Sequence, residues 1–482
     1  MSHISHDRLR ERCAVVGVSV ANYGDEAAKI AYQALFALQH RGVEASGIAT
    51  NASTGGVHAV RRLGMVRDVF RKDDLLGLTG SVATGHNRYS TNGDKNDHPS
   101  PIVNSDTGDA QSHNGNLPDT SYLDDMLRRR GYRVNQYNDS GKLGKATFLG
   151  IADSGGNIEE SVRDIISHVD GAYACTGIHD DMMYTFRDAH GVRPLELGTF
   201  DGGVVAASET CALDTIGAEH LRSVQPGELV VARNGLIIFS AQLREPTPHF
   251  DMFELVYFAR PDSVMLGERV SEVRRRFGHQ LATLHGDHLS TLSHPLIVPV
   301  PDTSVFAAEG LSEQTHITHE MAIIKNRYVG RTFMQPSQES RRSSLQIKHT
   351  MNGERISGRD IVLVDDSIVR GNTLPRLVQL ARSLGARSVT ILIASPPIRY
   401  PDFYGTDTPD QRELMAANLT VEQMRLAFGA DYLGFLSVST MVSATGQNAE
   451  AFNLSPFLGD YPIPIGDLAK NIRTPISLEY TD

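Results

Sequence analysis

Cysteine is scarce in this chain: 482 residues hold three, Cys13, Cys175 and Cys211. They are too few and too scattered for a disulfide framework or a Cys-rich metal site, and a reducing cytoplasm suits them best. No apolar run reaches the roughly 18 residues of a membrane span. The N-terminal MSHISHDRLRERC also lacks the apolar centre of a secretion signal. Basic charge is in deficit, with 46 Lys and Arg against 57 Asp and Glu and a net charge of -11. That argues against a general nucleic-acid binder, whose phosphate contacts need a basic face, but not against a small phosphate ligand in one local pocket. Repeats and low-complexity segments are missing as well.

The chain is too long for one hydrophobic core, so two or three domains are expected. Residues 13–245 are rich in Gly, Asn, His and Thr, with short apolar runs such as CAVVGVSV (13–20) and GGVVAAS (202–208). Runs bounded by Gly, Asn and Asp read as buried strands. DEAAKIAYQALFALQ (25–39) predicts a helix with Ile30, Leu35 and Leu38 as apolar positions. This half reads as α+β, stacked sheets between helices. The second half alternates strand and helix: HPLIVPVPD (294–302), IVLVDD (361–366), a helix over 374–386 and SVTILIASPP (388–397). That order predicts a parallel βαβ unit and an α/β domain over 246–482. REPTPHFD (244–251) is the expected connection. The last 30 residues are Pro-rich and weakly periodic, and their pattern places them in no element.

The sharpest local pattern is IVLVDDSIVRGNT (361–373). An apolar strand ends in Asp365 and Asp366, and a loop with Ser367, Gly371, Asn372 and Thr373 opens into the helix. Glycine lets backbone approach a ligand, N–H groups at a helix start favour an anion, and the hydroxyls can donate to phosphate oxygens. Acids at the carboxyl end of a parallel strand stand where open α/β sheets bind ligands; they can accept from sugar hydroxyls or approach magnesium through water. The plainer alternative is that the two acids cap the next helix. The segment resembles the phosphoribosyl pyrophosphate loop of type I phosphoribosyltransferases, with Asn372 where threonine is commoner. Upstream, residues 325–348 carry Lys325, Arg327, Arg331, Arg341, Arg342 and Lys348. Such a run is usually a solvated face; here it is read as a cationic lid over pyrophosphate, with Lys325 and Arg331 among its phosphate-binding residues.

Further segments extend the likeness: CAVVG (13–17), HRGVEASGI (40–48), GHNRYSTNG (85–93), HNGNL (113–117), RDAHGVRPLELG (187–198), FELVYFARPDS (253–263), NRYVGRTF (326–333) and SPPIRYPDFYG (395–405). In this order they resemble the amidophosphoribosyltransferases, which join an N-terminal-nucleophile glutaminase to a type I phosphoribosyltransferase. The resemblance implies that Cys13 is the nucleophile, freed by cleavage after Arg12, so that residues 1–12 are a propeptide and 13–245 the amidotransferase domain. A free α-amine titrates at about 7.7–8.0 and can serve as base for its own thiol. It further implies that Asn114 and the Gly115 N–H stabilise the oxyanion, and that Arg88 and Asp139 hold the carboxylate and ammonium of glutamine. Thr303 would join Asp365 and Asp366 around Mg2+. Glutamine and phosphoribosyl pyrophosphate are the expected ligands, purine nucleotides candidate inhibitors, and a homo-oligomer the expected assembly.

Plainer readings stand beside these. Cys13 suits a buried structural thiol, as Cys175 and Cys211 do better still, and Asn114-Gly115 suits a type I′ turn. Ala14 replaces the family's usual glycine, Val43 a glutamine, and Gly141 a glutamate. Some relatives bind an iron–sulfur cluster through four cysteines of the second domain; with no cysteine after Cys211, none is expected here. Two rivals stay open: a same-fold enzyme of a specialised pathway, and a non-catalytic nucleotide-binding regulator.

Overall fold

The computed structural model describes residues 13–21, 26–51, 56–88, 99–325, 349–406, 408 and 410–482, without the side chains of Lys325 and His349. Expectations on residues 1–12 and on the segment 326–348, Arg331 included, lie outside the described residues.

The first half contributes strands β1 (Ala14–Val20), β2 (Ala45–Asn51), β3 (Val57–Leu63), β4 (Val82–Arg88), β5 (Ile102–Asn104), β6 (Asp109–Asn116) and β7 (Ala172–His179). It continues with β8 (Met182–Arg187), β9 (Glu196–Phe200), β10 (Gly203–Ala207), β11 (Glu219–Ser223), β12 (Glu228–Arg233) and β13 (Leu236–Gln242). Two antiparallel sheets result, ordered β11-β9-β10-β1-β4-β2-β3 and β13-β12-β8-β7-β6-β5. The period-2 alternation of β1 explains how they stack. Ala14, Val16, Val18 and Val20 pack into one core with the helices Ala27–Ala37 and Thr210–Ile216. Val15, between them, faces Ala174 and Val230 of the other sheet. Beyond that sheet the helices Asp139–Asp153 and Ile158–His168 close the fourth layer, burying Leu143, Ala146, Val162 and Ile165. Each fully buried Val or Leu contributes about 1.5–3 kcal/mol, so both outer layers are strongly held.

The helix expected over 25–39 spans Ala27–Ala37, and its buried face is mainly Ala27, Ala28, Ala31, Ala34 and Leu35. Ile30 is only partly buried, because at helical spacing it falls at the flank of that face.

The second half adds β14 (Phe250–Asp251), β15 (Val264–Met265), β16 (Glu268–Arg269), β17 (Pro295–Pro299), β18 (Ile323–Lys325), β19 (His349–Met351), β20 (Asp360–Asp365), β21 (Ser388–Ile393), β22 (Tyr432–Phe435) and β23 (Phe452–Asn453). A parallel sheet runs β17-β20-β21-β22. Val362 and Val364 face the helices Val270–Ser290 and Val305–Thr315, while Ile361 and Leu363 face the helices Leu374–Ser383 and Val421–Phe428. The connection at 244–251 does not float. Thr247, His249 and Asp251 donate their N–H groups to the carbonyls of Ala189, His190 and Val192 at 2.9, 2.7 and 3.1 Å. The C-terminal stretch, unplaced by its sequence, packs across both halves: Ile463 and Ile465 cluster with Ala172, Val192, Phe403 and Tyr404. No described helix is long and apolar enough to cross a membrane.

Candidate active site

One cluster forms where β1, β4 and β6 end together. The β1–β4 register sets Ala14 opposite Asn87, which carries Cys13 to the level of Arg88 at the end of β4. Cys13 is half-buried and adopts φ 48, in the left-handed region. For a side-chain-bearing residue this conformation costs about 1–2 kcal/mol. The facing sheet is tied to this spot by His86, whose ring Nε2 lies 3.0 Å from the His113 carbonyl. Burial pushes the His86 pKa down to about 3, so the ring is neutral and Nε2–H is the donor.

Asn114 and Gly115 follow on β6, paired with Ala174 and Tyr173 of β7. They are strand residues, and the type I′ turn alternative fails. Gly115 needs to be glycine: its φ is +149, and a Cβ there would overlap the Ala172 carbonyl oxygen. Asn114 is fully buried, and among the described residues neither its Oδ1 nor its Nδ2 has a hydrogen-bond partner. Buried amides are almost always satisfied, so this one stands ready for a partner that the described residues do not supply. Asp139 opens the 139–153 helix and accepts from the Leu117 N–H at 3.3 Å, which brings it to the same strand end. His113, to which the sequence pattern assigns no role, bonds through Nδ1 to Ser140 Oγ at 2.8 Å, and burial lowers its pKa. Its place in HNGNL was the only available signal.

Cys175 and Cys211 are 0% and 1% exposed, and burial raises both thiol pKa values, as structural cysteines require. The Ala14 methyl packs on the helix side, away from the facing sheet. Val43 is 45% exposed beside Gly42. Gly141 donates its N–H to the Asn138 cap at 2.9 Å.

The second cluster lies at the carboxyl end of the parallel sheet. Asp365 and Asp366 are 5% and 2% exposed. Thr303, in the turn after β17, donates to Asp366 Oδ2, and Ser367 Oγ donates to Asp366 Oδ1 at 2.7 Å. Residues 367–373 separate the acids from the helix at Leu374, so they do not cap it. Gly371 has φ 70, and a Cβ there would overlap Met415 Sδ. The loop is braced from behind: Met415 N–H donates to the Val369 carbonyl at 2.8 Å, and Arg370 Nε to Glu413 at 2.9 Å. Asn372 and Thr373 complete the loop, Thr373 at the helix start without a side-chain cap bond. Lys325 ends β18.

Among the described residues, no three His, Cys, Asp or Glu side chains form a group that could hold a metal ion. Two buried carboxylates and a hydroxyl suit a hard cation that takes its other oxygens from a substrate's phosphates, as Mg2+ commonly does.

A profile described as a glutamine amidotransferase domain matches residues 86–215. The amidophosphoribosyltransferase of Mycobacterium tuberculosis is 39% identical over 471 residues, covering 95% of this chain and 87% of its own. That of Synechocystis is 37% identical over 481 residues, covering 98% and 95%. A solved glutamine phosphoribosylpyrophosphate amidotransferase from B. subtilis, complexed with ADP and GMP, superposes with a TM-score of 0.84 at 35% identity, covering 94% of this chain and 98% of that one.

Proposed function

The chain belongs to the amidophosphoribosyltransferase family, and from that premise we propose how its two clusters divide the first step of purine synthesis. The first half hydrolyses glutamine and the second transfers the ammonia to phosphoribosyl pyrophosphate. Phosphoribosylamine, glutamate and pyrophosphate are the products.

In the first half, cleavage after Arg12 frees the Cys13 amine, which takes the thiol proton. The thiolate attacks the side-chain carbonyl of glutamine. Arg88 pairs with the α-carboxylate through its planar guanidinium, and Asp139 with the α-ammonium. The tetrahedral oxyanion is met by the Asn114 amide and the Gly115 N–H. Its collapse expels ammonia, and water then releases glutamate from the thioester. The observation that carries this reading is the buried Asn114 amide, unpartnered among the described residues, next to a glycine whose neighbours forbid any side chain.

In the second half, ammonia attacks the anomeric carbon with inversion and displaces pyrophosphate. Asp365 and Asp366 face the ribose. Ser367, Gly371, Asn372 and Thr373 receive the phosphate, and Lys325 and Arg331 the pyrophosphate. Mg2+, when bound, would neutralise the leaving group; Thr303, Asp365 and Asp366 are the residues that would hold it. Purine nucleotides are the proposed inhibitors, supported by the ADP and GMP in the B. subtilis relative. The test is to supply glutamine and phosphoribosyl pyrophosphate with Mg2+ and follow both products. Glutamate and pyrophosphate released in equal amounts are expected; either one alone, or neither, would overturn the assignment.

A further inference from the structure

Both walls of the glutamine pocket are anchored in the other half of the molecule. On the β4 side the anchor is Arg41, which ends the 3-10 turn Gln39–Arg41 and is 2% exposed. Glu254, 0% exposed, opens the helical turn Glu254–Phe258 of the second half. It accepts from Arg41 Nη1 at 3.0 Å and from Nη2 at 2.6 Å. Glu209 takes a further bond from Nη1 at 2.9 Å. Burial alone would raise the Glu209 pKa, but His40 and Arg41 hold it well below the carboxylate range. Glu209 also accepts from Ser263 Oγ at 2.6 Å and from the Arg260 N–H at 2.9 Å, both in the second half.

What Arg41 holds is the strand end itself. Gly42 follows it so closely against β4 that a Cβ would lie 2.8 Å from the Asn87 carbonyl carbon and 2.9 Å from that of Arg88. Glu44 N–H then donates to the Arg88 carbonyl at 3.1 Å. On the β6 side, Asn116 stands next to Gly115 and donates from Nδ2 to the Phe403 carbonyl at 2.7 Å. Arg193 joins the two anchors: its Nη1 is 3.1 Å from Glu254 Oε1 and 3.0 Å from Asp251 Oδ2, and it leaves no room for a Cβ at Gly405. Buried charges fix geometry tightly, because each has to keep its partners or lose its solvation.

We propose that Glu254 is a positioning residue of the glutamine site: seated in the second half, it holds Arg41, and through Gly42 it fixes the β4 end that sets Arg88 opposite Cys13. The proposal rests on the glutaminase reading of that cluster. Glu254 touches none of the reacting groups and lies outside the phosphoribosyl cluster, so its loss acts on glutamine binding rather than on ammonia transfer. The glutamine pocket is therefore complete only when the two halves are docked.

The test uses the full-length protein with Glu254→Gln and Glu254→Asp. Three quantities are read: KM for glutamine, the rate at which a diazoketone glutamine analogue modifies Cys13, and pyrophosphate release with ammonium as nitrogen donor. Glu254→Gln is expected to raise KM and slow the modification by about tenfold or more, with the ammonium-driven rate within about twofold. Glu254→Asp keeps the charge and is expected to recover most of the loss. An unchanged KM in both variants, or glutamine and ammonium rates falling by the same factor in Glu254→Asp, would overturn the proposal. A wild-type protein that turns over no glutamine would sink the glutaminase reading instead, and shows itself before any variant is compared.

Discussion

Replacing Asn114 by leucine should make the protein more stable and nearly abolish its use of glutamine. The Asn114 side chain is fully buried, with both polar atoms lacking a hydrogen-bond partner among the described residues. A buried polar group left unsatisfied costs about 1–3 kcal/mol, and an apolar side chain of similar shape removes that cost without opening a cavity. Asn114→Leu should therefore gain on the order of 1–3 kcal/mol, less whatever the branched end loses in fitting the site. On the proposed assignment the same change deletes an oxyanion donor, worth about 3–4 kcal/mol in the transition state, or roughly 10²–10³ in kcat. The ammonium-driven reaction uses neither atom and should keep its rate. Urea unfolding midpoints, glutamate release and ammonium-dependent pyrophosphate release measure the three effects. A variant less stable than the wild type by about 1 kcal/mol or more, or one hydrolysing glutamine within about tenfold of the wild-type rate, would contradict this role for Asn114.

Two further outcomes are expected. Gly371→Ala forces a Cβ onto a residue at φ 70 and against Met415 Sδ. It should raise KM for phosphoribosyl pyrophosphate by about tenfold or more while glutamine hydrolysis stays within about twofold; an unchanged KM contradicts the loop assignment. His179 lies 2.6 Å from Asp109 Oδ1, and that hydrogen bond raises its pKa. A raised folded pKa means that the stabilisation is fully present below the unfolded value of about 6.5 and is lost as pH rises through the folded value. Unfolding midpoints from mildly acidic to mildly alkaline pH should thus fall more steeply for the wild type than for His179→Gln, and parallel curves would refute this.

Local pattern made some of this legible and distance hid the rest. The strand, acid pair, glycine and helix of 361–374 lie in one continuous stretch, and they fold as their order suggests. β1 was readable as a short apolar run, CAVVGVSV, although its alternation between two cores shows only in the fold. Asn114-Gly115 misled in one respect, since the dipeptide favours a tight turn in isolation. Here the facing carbonyl of Ala172 and the β7 register hold it in a strand. The Arg41–Glu254 contact joins residues 213 positions apart and left no periodicity to detect. The same holds for Asn116 and Phe403, separated by 287. The C-terminal segment is weakly periodic because it fills gaps between existing surfaces, with Ile463 and Ile465 inserted where the halves meet.

As proposed, Cys13 is a freed, competent nucleophile in a glutamine pocket. That role is tested most directly by the intact mass of the purified protein before and after exposure to the diazoketone analogue. Loss of residues 1–12 and a single adduct, located on Cys13, are expected. A full-length chain that takes up no adduct would contradict that role.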